Sequence, residues 1–149
     1  MTEVLFYQLD RRPLEQVLPD LVEKCLQRSW RVVIQAGTEE RVDALDAHLW
    51  TYRDDAFLPH GTRKDGNAAV QPVWLTAENG TPNGANVRFL VDGAEPETFG
   101  GLDRIVFLFD GKDPAALDRA RAAWKTARAE GHTATYWQQV ANGRWEQKT

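Results

Sequence analysis

Arg104-Ile105-Val106-Phe107-Leu108-Phe109 is a nearly continuous apolar run that stops at the turn signal Asp110-Gly111. A strand covered on both faces reads this way, and such strands belong to largely parallel sheets. Asp113 stands where a helix needs a cap, Pro114 fits its first turn, and Gly131 stops it after about Glu130. Tyr136-Trp137-Gln138-Gln139 follows as the next strand. Strand, helix and strand in immediate succession are the grammar of an α/β fold.

The same grammar runs through the first third of the chain. Val4-Leu5-Phe6-Tyr7 predicts a buried strand, and Leu14, Val17, Leu18, Leu21, Val22 and Cys25 repeat at helical spacing. Pro19 lies inside that repeat, so a late helix start or a kink is expected. Arg31-Val32-Val33-Ile34-Gln35 reads as a second strand. After Gly37, Thr38 caps a helix that carries Glu39 and Glu40 in its first turn and has Val42, Leu45, Leu49 and Trp50 at helical spacing. His48 is placed on that helix's exposed side. Residues 51–70 are irregular, and Val73-Trp74-Leu75 and Val87-Arg88-Phe89-Leu90-Val91 add further strands on either side of the turn signals Asn79-Gly80 and Asn83-Gly84. The expected architecture is an α/β sandwich with a largely parallel central sheet, one domain over residues 1–149, without internal repeats.

Composition limits what this fold can do. The 149 residues carry a net charge of −4, which argues against a sequence-independent nucleic-acid binder. The charge is uneven, however: residues 112–149 hold seven basic and four acidic side chains. An acidic partner is therefore sought at that end. A lone Cys25 excludes a disulfide framework and a cysteine metal cluster; on the apolar stripe of its helix it reads as a buried structural thiol. With no signal-like leader and no apolar stretch near the roughly 20 residues of a membrane span, a soluble, cytoplasmic protein is expected.

Catalytic signatures are sparse. Neither GxGxxG nor GxxxxGK[ST] occurs, and Gln8-Leu9-Asp10-Arg11-Arg12 after the first strand has no glycine to let amides approach a phosphate. The single serine, Ser29, lies outside any GxSxG turn, and His48, His60 and His132 are scattered. Asp54-Asp55 and Glu39-Glu40 read as solvated or helix-start pairs. No cofactor is expected. An enzyme or nucleotide binder rests on fold analogy alone and stays as the alternative.

The aromatic residues are more informative. Trp50, Phe57, Leu58 and Pro59, with His60 following, gather where a polar loop would normally leave a helix. They either cover the sheet or form a partner-binding patch. On the last helix Ala116, Ala120, Ala123 and Ala127 form a small-residue stripe. Arg121, Trp124 and Arg128 stand on a neighbouring face, with Lys125 beside them and Leu117 one turn earlier. That face reads either as a solvated basic surface with a half-buried tryptophan or as a receptor for a carboxylate and an apolar side chain. Arginine with tryptophan could also serve single-stranded nucleic acid.

Phe6-Tyr7, Leu49-Trp50 with Phe57-Leu58-Pro59-His60, and Ala120-Arg121 with Trp124-Lys125 before Gly131 together resemble the chi subunit of bacterial DNA polymerase III, from the first strand to about Gln139. The resemblance implies a Rossmann-like three-layer sandwich and a non-catalytic accessory subunit of the clamp-loader assembly. It implies binding to the acidic, Phe-terminated tail of single-stranded-DNA-binding protein through Arg121, Trp124 and Lys125, at the helix that also carries Leu117 and Arg128. Trp50 and Phe57, with Leu58, Pro59 and His60, would face the psi subunit, another clamp-loader protein or a helicase. Contact with DNA would then be indirect. The position of Leu117 can be basic in relatives, so this chain would hold an acidic tail with fewer charges.

Overall fold

The computed structural model describes residues 2–52, 58–140 and 144–148. It contains a seven-stranded sheet of β1 (Glu3–Leu9), β2 (Val32–Gln35), β3 (Val73–Thr76), β4 (Val87–Leu90), β5 (Arg104–Asp110), β6 (Thr133–Gln139) and β7 (Trp145–Gln147), in the spatial order β3-β2-β4-β5-β1-β6-β7. Every neighbouring pair is parallel except β6–β7. Helices α1 (Leu14–Gln27) and α2 (Glu39–Thr51) cover one face and α3 (Pro114–Ala129) the other. The expected α/β sandwich with a largely parallel sheet is thus what the sequence adopts. A further strand follows β6: Trp145 pairs with Gln139 and starts an antiparallel edge strand.

Strand alternation sorts the core. Leu5, Leu9, Val106 and Leu108 point toward α1 and α2, where they meet Val17, Leu18, Val42, Leu45 and Leu49. Val4, Phe6, Ile105 and Phe107 point the other way, onto Ala120 and Ala127 of α3. The alanine stripe lets α3 lie close to the strands, and Asp113 caps it by accepting the Ala115 N–H at 3.0 Å. Beyond the reach of α3 the same sheet face is closed by loops. There Arg88 of β4 is buried, donating to Gln35 Oε1 at 2.7 Å and to the Gly80 carbonyl, and burial pushes its pKa down.

Pro19 neither delays nor ends α1, which runs from Leu14 through it. A proline at that position cannot donate to the carbonyl of Glu15. His48 on α2 does so instead, its Nε2 lying 2.6 Å from the Glu15 oxygen. The expectation that His48 faces solvent is therefore corrected: its imidazole is half-buried between the two helices and replaces a missing helical hydrogen bond. Close packing also explains Gly37, since a Cβ there would sit 2.3 Å from the Asp92 carbonyl oxygen of the neighbouring β4 turn. Cys25 is buried as expected, and burial raises its thiol pKa.

Candidate functional site

A row of rings crosses the sheet beneath α3. Register places Phe6 of β1 beside Phe107 of β5 and Tyr136 of β6. Phe6 and Phe107 stack with centroids 4.7 Å apart, and Tyr136 lies 6.4 Å from Phe6 on the other side. Trp124 stands edge-on to this row, 5.5 Å from Phe6 and 6.1 Å from Tyr136. These contacts fix one side of a half-buried indole and leave the other toward solvent.

Arginines flank that indole. The Arg128 guanidinium lies 5.5 Å from the Trp124 ring centre, within cation–π range. Arg121, one turn earlier, pairs with Asp118 at 3.6 Å, and its side chain is 69% exposed. An ion pair this open holds its members weakly, so the guanidinium can turn to a stronger acceptor. Leu117 is half-buried on the same flank, and Lys125 is exposed next to it on the outer surface. The structure thus brings Leu117, Arg121, Trp124 and Arg128 together on one flank, with Lys125 at its border.

Tyr136 completes this surface, a role the sequence reading did not give it. Its hydroxyl donates to Gln8 Oε1 at 2.5 Å. Its pKa is raised, chiefly by burial, while the nearby positive charge of Arg121 opposes the shift and Asp10 adds to it. The signal was present in the alternation of Tyr136-Trp137-Gln138-Gln139, which puts Tyr136 and Gln138 on one face, but only the register with β1 shows which face α3 covers.

The second group of aromatic residues lies at the end of α2, in the opposite helical layer. Trp50 is 51% exposed and its ring lies 4.5 Å from that of His60. His60 is buried, with Nδ1 2.6 Å from the Leu58 carbonyl and Nε2 3.0 Å from Asp46 Oδ1. Leu58 is 2% exposed and belongs to the core beneath α2, while Pro59 is half-buried. Phe57 lies outside the described residues. Among the described residues of this group Trp50 is the outward one, its ring set against the buried His60.

The turn after β1 also has a defined state. The backbone N–H groups of Asp10, Arg11 and Arg12 all donate to Gln139 Oε1, at 3.2, 3.0 and 3.1 Å. Converging amides at this point of an α/β fold can receive a phosphate. Here a side chain of β6 already fills them.

Residues 1–135 match the family model described as DNA polymerase III chi subunit, HolC. The chain belongs to the DNA polymerase III chi subunit family. It is 30% identical over 91 residues to a protein named probable DNA polymerase III subunit chi from Rickettsia prowazekii (strain Madrid E), a match covering 61% of this chain and 55% of that protein. It is 25% identical over 135 residues to the DNA polymerase III subunit chi of Pseudomonas aeruginosa PAO1, covering 89% of this chain and 93% of that one. The family match includes both the α2 end and the α3 flank. Among the described residues, no helix is long and apolar enough to cross a membrane, and no three His, Cys, Asp or Glu side chains form a metal-binding group.

Proposed function

We propose that this chi-family chain is a non-catalytic adaptor of the DNA polymerase III assembly that binds the acidic, Phe-terminated tail of single-stranded-DNA-binding protein. The observation that carries the reading is the α3 flank, where an open guanidinium at Arg121 borders an indole fixed edge-on by Phe6 and Tyr136. The terminal carboxylate pairs with Arg121 through a charge-assisted hydrogen bond, and the terminal phenyl group rests against Trp124 and Leu117. Lys125 and Arg128 attract the aspartates upstream in the tail. On the opposite layer, Trp50 docks psi or another clamp-loader protein, a helicase being a further candidate; Phe57 and Pro59 are proposed as further contacts, whereas Leu58 and His60 are buried and support that end of α2 from within. The two groups occupy opposite helical layers of one sheet, an arrangement that suits a bridge between two proteins.

Amide chemical-shift mapping with a synthetic acidic tail peptide tests this reading. The expected shifts cluster on Leu117–Arg128 and around Tyr136 and leave the Trp50 region unchanged. Shifts confined elsewhere, or none at millimolar peptide, would overturn it. The enzymatic alternative draws no support from the β1–α1 turn, whose amides are held by Gln139.

A further inference from the structure

The chain path reverses direction between β1 and β5. From β1 the chain leaves through α1 on one face toward β2, whereas from β5 it leaves through α3 on the other face toward β6. In open parallel sheets such a reversal opens a crevice at the carboxyl ends of the two strands, the usual place for a ligand. A cavity of about 1010 Å³ lies there, between α3, the turn after β1 and the loop after β4. It sits on the opposite flank of α3 from Trp124, walled by Arg119, Ala122 and Ala123.

Its floor is apolar, built from Leu90, Phe99, Phe107, Phe109 and Ala120. Its rim is charged, and the charges are not equally available. Arg41 takes up Asp92 at 2.9 Å and Glu15 at 3.3 Å. Gln138 and Gln8 donate to Asp10, Asp113 caps α3, and Asp110 accepts the Lys112 N–H. Glu95 is the carboxylate left over. Against it, the side chains of Arg11, Lys112 and Arg119 make no ion pair or hydrogen bond among the described residues. Arg119 reaches across from α3 until its guanidinium lies over Gly93 on the opposite wall, where a Cβ would meet Nη2 at 3.6 Å.

We infer that this crevice is a binding site for a small organic anion, one that joins a phosphate or carboxylate to a flat apolar body. The apolar part lies on the Phe99 and Phe107 floor, and the anion is held by side-chain cations, Arg119 foremost. The filled amide turn after β1 takes no part, so recognition here differs from glycine-loop phosphate binding. The site is independent of the tail-binding flank.

Titration calorimetry with adenosine monophosphate, indole-3-acetate and uncharged adenosine tests the inference on the full chain and two variants. Saturable binding of either anion is expected, at least fivefold weaker for Arg119→Gln and abolished by Ala122→Phe, which fills the cavity from an exposed helical position. Affinity for the tail peptide stays unchanged in both variants, which checks their folding. Preference for the nucleotide assigns a phosphate ligand, and preference for the indole acid a carboxylate one. Absence of binding by both anions, adenosine binding as tightly as its monophosphate, or binding that survives Ala122→Phe would each overturn the site.

Discussion

At the scale of single residues, the His48 imidazole is a helix-repair group. Without it, the Glu15 carbonyl that Pro19 leaves unbonded would lack its partner between α1 and α2. His48→Ala is therefore expected to lower stability by about 1 kcal/mol, read from denaturant midpoints. Introducing Pro19→Ala in the same chain should shrink that loss, because residue 19 then donates to Glu15 itself. A loss that is the same in both backgrounds would show that His48 acts otherwise. The tyrosines provide a second test. Burial raises the pKa of both Tyr7 and Tyr136 above the ordinary value of 10.0. The folded state then holds these protons longer than the unfolded chain does. Their contribution is complete below pH ~10 and is lost as pH rises through the folded-state values. Alkaline unfolding should begin at higher pH in a Tyr136→Phe variant than in the parent chain; an identical profile would contradict the assigned burial.

At the scale of elements, α3 was legible almost completely. Asp113, Pro114 and Gly131 mark its ends, and the alanine stripe marks its inner face. The flank that carries Arg121 and Trp124 follows from helical spacing alone. What spacing cannot give is the partner surface, since Phe6 and Tyr136 come from distant strands joined only by register. The path through Pro19 was hidden for the same reason: its compensation comes from another helix. The apolar residues after α2 left burial and exposure open, and packing separates them, with Leu58 in the core and Trp50 outside. Gly37 shows the same dependence on neighbours. Gly37→Ala would drive a methyl into the Asp92 carbonyl, and we expect it to cost about 1–3 kcal/mol in stability while leaving the α3 flank intact. A neutral effect would mean that the β2 and β4 turns are not held as tightly as described.

At the scale of the whole molecule, charge placement matters more than charge total. A chain of net charge −4 has little attraction for a phosphate backbone, so oligonucleotides alone should quench its tryptophan fluorescence only slightly. The excess of basic residues from position 112 onward is concentrated on and around α3, where an acidic tail would feel it. Tail affinity should accordingly fall with added salt, since Lys125 and Arg128 act from exposed positions. The central claim, that α3 receives a terminal carboxylate, is tested most directly by calorimetry with a synthetic acidic peptide ending in phenylalanine. One-to-one binding is expected, with Arg121→Ala costing about 2 kcal/mol, roughly thirtyfold in affinity, and with a similar loss on amidating the peptide's terminus. Equal affinities for the parent chain and Arg121→Ala would contradict it.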